Sequence, residues 1–226
     1  MFDRLIKLIG ETNFNNIQSK KILLVGVGGV GSYALEALVR NGFNNIDIID
    51  YDKIDITNLN RQLITNQNNI GESKVKAGVL RAKEINPSIN INSYEMFLTE
   101  DNITSILDNK YDYIIDACDT VTIKYLLMYY SMKYDYKLIS SMGTAKKMRP
   151  ELLSITTLDK TNNDPLARIL RKKVKDNRIN KKLYVVSSTE IPKDIDSLGS
   201  NNLVPSVAGL LCVSYIVNDI LDKNKK

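Results

Sequence analysis

The sequence contains no histidine, and this absence excludes several classes of mechanism. Neither a Ser-His nor a Cys-His nucleophile can form, and a metal site built on imidazole is impossible. Cysteine is scarce as well, because only Cys118 and Cys212 are present and they belong to no C-x-x-C pair. Two thiolates are too few for a structural zinc site. A mechanism that needs only a bound metal ion and positioned cations remains open to such a chain.

Other absences bear on location and organisation. No basic segment followed by an apolar one occupies Met1–Glu11, so we expect no secretory signal. The longest apolar stretch, Leu203–Leu221, is interrupted by polar residues and predicts a buried helix rather than a membrane span. No linker or internal repeat divides the 226 residues. We expect one domain (1–226) in the reducing cytoplasm, away from membranes, with a nucleotide-binding half at 1–143 and a substrate-binding, closing half at 144–226.

Apolar strands and amphipathic helices alternate along the first half of the chain. This alternation predicts an α/β fold of the Rossmann-like, doubly wound type with a mainly parallel sheet. An additional antiparallel portion is expected after Gly143, where a long polar segment separates two predicted strands. The predicted strands are Lys21–Val27, Asn45–Tyr51, Ile89–Met96, Tyr111–Cys118, Lys137–Ser141, Glu151–Leu158 and Leu183–Ser188. The predicted helices are Gly31–Arg40, Ser73–Ile85, Thr99–Leu107, Thr122–Tyr134 and Pro205–Leu221.

A glycine-rich turn, GVGGVG, follows the first predicted strand and opens the first predicted helix. Glycines permit a tight turn with positive φ and let backbone N–H groups approach an anion, while the positive end of the helix dipole points to the same place. The turn therefore predicts a polyphosphate site. Its candidate residues are Gly26, Gly28, Gly29 and Gly31.

A second group of candidate residues distinguishes between possible nucleotides. The glycine spacing and Asp50, placed to bind a ribose diol, also fit a dinucleotide such as NAD. The loop that follows, however, carries an amide and two cations, which suit the denser charge of a triphosphate. ATP is therefore favoured over NAD. The residues expected to bind it here are Asp50, Asp52, Asn58, Arg61 and Lys74.

Two carboxylates, Asp116 and Asp119, stand at the end of another predicted buried strand, where open α/β sheets place their ligands. Magnesium needs few protein carboxylates when phosphate oxygens complete its shell, so Asp119 is the predicted metal ligand, with Thr120 beside it. The alternative is that Asp119 caps the following helix. Cys118 is interpreted as a core residue rather than a nucleophile, and Cys212 as packing.

Positive charge is concentrated in one segment. Arg168–Lys182 contains eight basic residues and one acidic residue in a chain of net charge +5. Such a segment attracts polyanions through counterion release, although a solvated helix face is the usual alternative. The candidate contacts here are Arg168, Arg171, Lys172, Lys173 and Lys175, with Lys146 and Lys147 as a second basic group.

The motifs resemble those of the adenylating enzymes that activate ubiquitin-like and sulfur-carrier proteins. GVGGVG, IDYDKIDITNLNRQ, IGESKV and DACDT share the order and spacing of that superfamily. Arg4 with LIGE, SSMGTAKKMRP, DPLARILRKKVK and VPSVAGLL are similar to one branch, the tRNA threonylcarbamoyladenosine dehydratases. The resemblance implies that ATP, with Mg²⁺, adenylates the side-chain carboxylate of threonylcarbamoyladenosine in tRNA and that the acyl adenylate then closes into a ring. Arg61, Lys74 and Asp119 would be catalytic.

The resemblance also implies a homodimer in which Arg4 reaches the γ-phosphate in the neighbouring subunit; a solvated terminal arginine is the alternative. Two other functions stay open. One is an adenylyltransferase for a small sulfur-carrier protein, and the other is an NAD-binding Rossmann module without catalysis. The resemblance also admits sulfur-transfer proteins as partners.

Overall fold

In the computed structural model, which describes residues 1–223, seven strands form one sheet in the order β3-β2-β1-β4-β5-β7-β6. All neighbouring pairs are parallel except β6 with β7. The predicted α/β, mainly parallel sheet with an antiparallel addition is thus confirmed. The strands are β1 (Lys21–Val25), β2 (Asn45–Ile49), β3 (Asn90–Tyr94), β4 (Tyr113–Asp116), β5 (Lys137–Ser141), β6 (Leu153–Thr157) and β7 (Tyr184–Ser188).

Helices cover both faces of the sheet. They are α1 (Asp3–Ile9), α2 (Glu11–Gln18), α3 (Gly31–Arg40), α4 (Lys74–Ile85), α5 (Ile103–Leu107), α6 (Val121–Tyr134), α7 (Pro165–Asp176) and α8 (Leu203–Lys223). One buried apolar cluster joins the sheet to α3, α4 and α8, and a second joins it to α5, α6 and α7. The apolar runs in β1 and β4 supply both clusters, which explains why β4 and all of β1 after Lys21 are buried.

The predicted carboxyl ends of four strands lie beyond the ends found in the structure. β1, β2, β3 and β4 each stop two residues before the predicted carboxyl end. The apolar or aromatic residues beyond three of these ends, Tyr51, Met96 and Cys118, line a cavity instead of pairing in the sheet. The apolar pattern at these three positions therefore belongs to the wall of the cavity and not to the strands.

Three helices lie where none was predicted. Helix α7 forms inside the segment described as polar; Asp164 accepts a hydrogen bond from the Ala167 N–H, and Pro165 occupies the first turn. Helices α1 and α2 precede the sheet. Helix α8 is, by length and composition, the one described helix that could cross a bilayer, but Ala208, Cys212 and Ile216 are fully buried in the first cluster.

Candidate active site

A cavity of about 610 Å³ opens at the carboxyl ends of β1 and β4. The strand order reverses between these two strands, and ligands of doubly wound sheets bind at such a switch point. Most of the predicted nucleotide residues line this cavity. They are Gly26, Gly28, Gly29, Asp50, Asp52, Asn58, Arg61, Lys74, Asp119 and Thr120.

The glycines of the turn have different roles. Gly26 has a φ of +89°, and a Cβ there would lie 2.9 Å from the Ala117 carbonyl oxygen. Gly31 does not line the cavity, and its Cβ would lie 1.9 Å from the Gly26 carbonyl oxygen, so it is required for the close approach of α3 to the turn. Gly28, in contrast, has only the Gln62 side chain within 4 Å of a Cβ position. Gly28 therefore leaves room for a ligand, whereas Gly31 is needed for packing.

Asp50 ties the second strand to the turn. One carboxylate oxygen accepts a hydrogen bond from the Val27 N–H at 2.7 Å, and the other accepts one from the Asp52 N–H at 2.9 Å. The side chain thus shapes the backbone on both sides of the cavity. Its position at the end of β2 is also the one from which a ribose can be reached.

Lys74 is a buried cation that faces an exposed carboxylate. Its Nζ lies 2.7 Å from Asp52 Oδ2, and the side chain of Lys74 is 7% exposed against 43% for Asp52. Backbone hydrogen bonds hold this arrangement, because the Lys74 N–H donates to the Asp52 carbonyl and the Ile54 N–H donates to the Glu72 carbonyl. The ammonium group is therefore fixed at the cavity wall, where it can bind phosphate oxygens.

A tight turn presents Asn58 and Arg61. The Asn58 amide oxygen accepts from the Asp55 N–H, and its backbone carbonyl accepts from the N–H groups of Arg61 and Gln62. The Arg61 guanidinium donates to the Thr57 carbonyl at 2.8 Å and lines the cavity. Ser32 on α3 accepts from the Leu63 N–H, so the turn is anchored beside the glycines.

Gln62 is a site residue that the sequence reasoning missed. It is 5% exposed and lines the cavity, and its Oε1 accepts no hydrogen bond from the residues described. An unbonded buried amide oxygen is costly unless a ligand or water bonds to it. Its place within the NLNRQ motif was the signal that could have identified it.

Asp119 is exposed at the cavity edge, directly after β4. It does not cap α6, since the residue at the cap position is Thr120 and no side-chain bond closes the helix end. The alternative role as a cap is therefore wrong.

Asp116, the other carboxylate of the predicted pair, is not part of the cavity. It is fully buried and lies 3.1 Å from the Nζ of Lys124, whose ammonium group also donates to the Ser141 carbonyl. The pair joins β4, α6 and β5 beneath the site.

Aromatic and apolar residues form another part of the cavity wall. Met96, Phe97 and Leu98, after β3, line the cavity with Tyr51, and the rings of Tyr51 and Phe97 meet edge to face at 4.8 Å between centroids. Asp52 raises the pKa of the Tyr51 hydroxyl most strongly, followed by burial and by the carboxylates of Asp119 and Asp50. Three carboxylates therefore lie near Tyr51 at one edge of this apolar wall.

Cys118 lines the cavity but is not prepared to act as a nucleophile. Burial raises the pKa of its thiol well above the ordinary value, and the adjacent Asp116 raises it further. A thiol with a raised pKa carries little thiolate at neutral pH. The raised pKa of the thiol favours the interpretation of Cys118 as a structural residue.

The predicted basic residues divide into exposed and tied groups. Arg168, Lys172, Lys173 and Lys175 are exposed on α7. Arg171, also on α7, donates to the Thr161 carbonyl at 2.8 Å. Before α7, the Lys146 ammonium donates to the Ile195 carbonyl.

The assignment of Lys147 to a tRNA-binding surface is wrong. The residue is 2% exposed, and its ammonium group bonds the Gly143 carbonyl at 2.8 Å and Asp164 Oδ2 at 3.2 Å. Asp164 also caps α7, so Lys147 fixes that helix to the loop after β5. A lysine in a loop sequence carries no signal that distinguishes a buried ion pair from a surface charge.

Arg4 lies on the exposed side of α1 and does not line the cavity of its own chain. Its predicted role thus requires a second subunit.

The switch point of this doubly wound sheet carries a glycine turn, two cations (Arg61 and Lys74) and an exposed aspartate (Asp119). This combination defines a nucleotide-binding enzyme of the adenylating class. A model of the ThiF family matches residues 2–222, and the chain belongs to that family. A tRNA threonylcarbamoyladenosine dehydratase of Bacillus subtilis is 37% identical, with 97% of this chain and 94% of that protein covered.

Solved structures agree with this sequence relationship. The Escherichia coli tRNA N6-threonylcarbamoyladenosine dehydratase in complex with AMP superposes with a TM-score of 0.93 at 32% identity and covers 98% of this chain and 94% of that one. The same enzyme in complex with ATP gives a TM-score of 0.94 at 31% identity, covering 99% and 95% of the two chains.

Proposed function

We propose that this protein is an ATP-dependent tRNA threonylcarbamoyladenosine dehydratase. The observation that supports this most strongly is the single cavity that joins the glycine turn, Lys74, Arg61 and Asp119 at the switch point. Relatives of that name match nearly the whole chain in sequence and structure. The enzyme would act in the cytoplasm.

The reaction has two steps. A carboxylate oxygen of the threonylcarbamoyl group attacks the α-phosphorus of ATP, the bond to the bridging oxygen breaks, and pyrophosphate leaves. An internal nucleophile of the same modified base then attacks the acyl carbon and loses its proton to water, AMP leaves with one carboxylate oxygen, and a ring closes. A carboxylic acid has a pKa of roughly 4, so the first nucleophile is already ionised and needs no base. This suits a chain without histidine.

The residues of the cavity supply position and charge. The backbone N–H groups of the turn and the start of α3 face the phosphates, as helix N-termini do in anion sites. Lys74 and Arg61 neutralise charge that develops as pyrophosphate leaves, and both are held by bonds within the protein before reaction. Asp50 would bind the ribose, and the wall containing Tyr51 and Phe97 would contact the adenine.

Asp119 fits a magnesium ion that is held mainly by ATP. Among the described residues, no group of three His, Cys, Asp or Glu side chains could hold a metal by itself. A single exposed carboxylate beside the phosphate-binding turn is what Mg²⁺ requires when phosphate oxygens and water complete its shell. When bound, the ion would offset negative charge on the phosphates. Asp119 would orient it toward the turn, and Thr120 lies next to it.

The tRNA would approach across α7. Its exposed cations Arg168, Lys172, Lys173 and Lys175 lie on a helix whose second residue, Leu166, lines the cavity. Positive charge therefore begins at the mouth of the site and extends from it. Phosphate contacts of this kind position a nucleic acid without reading its sequence.

The test is ATP–pyrophosphate exchange. Exchange that requires tRNA containing threonylcarbamoyladenosine is expected, because that nucleoside supplies the attacking carboxylate. Exchange with a small carrier protein but not with this tRNA would support the sulfur-carrier adenylyltransferase instead. No exchange with either substrate would favour a nucleotide-binding module without catalysis.

The enzyme would work as a homodimer. On α8, Leu203 and Leu210 are 50% and 48% exposed, and Ile155 on the edge strand β6 is 36% exposed. Leu153 packs on the cluster that contains α8, and Ile155, two residues further along the strand, is on the same face of the sheet. A second copy could cover this apolar surface. The function of Arg4 in the neighbouring site depends on such a dimer.

A further inference from the structure

Helix α6 carries four tyrosines whose rings contact one another. The ring centroids of Tyr125 and Tyr129 are 6.4 Å apart, those of Tyr129 and Tyr130 are 5.3 Å apart, and those of Tyr130 and Tyr134 are 5.7 Å apart. The last pair is stacked, with an interplanar angle of 12°. Tyr134 is 48% exposed, and the other three are half-buried. The rings thus form a continuous aromatic surface, partly open to solvent.

Lysines lie over these rings. The Nζ of Lys173, on α7, is 5.5 Å from the centroid of Tyr125, and the Nζ of Lys133 is 5.8 Å and 5.4 Å from those of Tyr130 and Tyr134. We call these six residues the tyrosine–lysine surface. An aromatic ring that adjoins an ammonium group can bind one base by stacking and the neighbouring phosphate by charge.

Helix α6, which carries the tyrosine–lysine surface, begins at the cavity. Thr120 and Ile123, at the start of α6, line the cavity, and Tyr125 follows two residues later. At 1.5 Å per residue, the row from Tyr125 to Tyr134 extends about 14 Å along the helix. The neighbouring helix α7 also begins at the cavity, with Leu166 in its wall. A nucleic acid with one nucleotide in the cavity could therefore extend along α6 toward these rings.

Covering the core explains only part of the pattern. Tyr125, Tyr129 and Tyr130 do pack against the second apolar cluster. Leucine or methionine could also cover this part of the core, however, without ring-to-ring contacts or overlying ammonium groups. The pKa of Tyr125 is raised mainly by burial, then by Tyr129 and then by the carboxylate of Glu100. This carboxylate is a nearby negative charge, and it opposes the binding of an anion at the Tyr125 end of the row. At the other end of the row Asp135 follows Tyr134, and its carboxylate lies 3.1 Å from the ammonium group of Lys181.

We propose that the tyrosine–lysine surface binds unpaired RNA nucleotides. Single-stranded loops are recognised by stacking of splayed bases on aromatic side chains, whereas a duplex keeps its bases stacked inside. The inference rests on the proposed function, because it is the modified base in the cavity that brings loop nucleotides to α6. The tyrosines add a recognition element for a loop, whereas exposed charge alone, as elsewhere on α7, attracts any polyanion.

The test compares two RNA probes by fluorescence anisotropy: a hairpin with an unpaired loop and a blunt duplex with the same number of phosphates. Replacing Tyr129 and Tyr134 by leucine should weaken hairpin binding about tenfold, the order expected for losing a base–aromatic stack. Duplex binding should stay unchanged. The matched control, Tyr129→Phe with Tyr134→Phe, keeps both aromatic faces and should bind the hairpin as the parent does.

Two results would overturn the inference: equal hairpin binding by the leucine variant and the parent, or equal loss of hairpin and duplex binding. Tyr134→Leu alone, at the most exposed ring, serves if the double variant is unstable, and it should show a smaller selective loss. Neither probe needs ATP or the modified base. Failure of ATP–pyrophosphate exchange with modified tRNA would therefore refute the proposed function while the hairpin comparison still reports on the surface.

Discussion

Several side chains in the cavity stabilise their own loop through hydrogen bonds or an ion pair. The same side chains also present a polar group to the cavity. Asp50 accepts from two backbone N–H groups, Arg61 donates to the Thr57 carbonyl, and Lys74 pairs with Asp52. Such bonds fix the charges in position, so little reorganisation is needed when a substrate binds. Asp119 differs, since its exposed carboxylate is not needed by the fold.

Asp119→Ala should lower adenylation about a hundredfold or more, the scale for losing one preorganised group that stabilises developing charge. The thermal midpoint should not change, because the side chain is exposed and does not cap α6. The measurement is ATP–pyrophosphate exchange with modified tRNA beside a melting curve. Asp108→Ala, an exposed carboxylate at the end of α5, is the control and should remain active. Unchanged exchange in the Asp119 variant would refute the metal assignment.

Two glycine variants separate binding from folding. Gly28→Ala should raise the KM for ATP while leaving stability intact, because the added methyl group meets only the Gln62 side chain, at 3.8 Å, and occupies the cavity. Gly31→Ala should lower the free energy of unfolding by about 1–3 kcal/mol or more, since its methyl group would meet the Gly26 carbonyl. Urea unfolding and ATP titration of both proteins measure this. A destabilised Gly28 variant with normal ATP binding would contradict the assignment.

Among the helices and strands, the sequence correctly predicts those whose signal lies in neighbouring residues. The glycine turn, helix α3 and strand β5 lie where the pattern placed them. Helix α7 lies in a segment for which the sequence analysis assigns no element, although Asp164 and Pro165 are ordinary start signals. The cavity wall after β3 and the burial of Lys147 were not predictable in this way, since both depend on packing between segments distant in sequence.

The charge of α7 can be tested against that of another helix. Lys172→Glu with Lys175→Glu should raise the KM for tRNA and reduce the dependence of binding on salt, by a logarithmic slope of roughly 0.7–0.9 for each phosphate that the variant no longer neutralises. ATP binding without tRNA should be unchanged. The matched control is Lys76→Glu with Lys83→Glu. Both lysines are exposed on α4, a helix that packs on the opposite face of the sheet from α7. Equal salt slopes for the α7 variant, the control and the parent would mean that tRNA binds elsewhere.

At the scale of the whole molecule, the site of one chain is proposed to be completed by another. Arg4 is exposed on α1, away from the cavity of its own chain, while an apolar surface of α8 and β6 is available for a second copy. The sequence carried no signal for association apart from family resemblance, because a sequence pattern does not tell which exposed apolar residues meet a partner.

Mixing two inactive variants tests the shared site. Arg4→Ala and Asp119→Ala proteins, allowed to exchange subunits in equal amounts, should recover about a quarter of the parental activity, because half of the dimers are mixed and each has one intact site. The readout is pyrophosphate exchange together with native mass spectrometry of the dimers. Mixed dimers without recovered exchange would place Arg4 outside the neighbouring site.

The most direct measurement of the central claim is mass spectrometry of nucleosides from tRNA containing threonylcarbamoyladenosine, after incubation with the protein, ATP and Mg²⁺. We expect the modified nucleoside to lose the mass of one water molecule, with one AMP released for each nucleoside converted. Omitting ATP, or using Asp119→Ala, should leave the nucleoside unchanged. An unchanged nucleoside with the parent protein, or conversion without ATP, would contradict the proposed reaction.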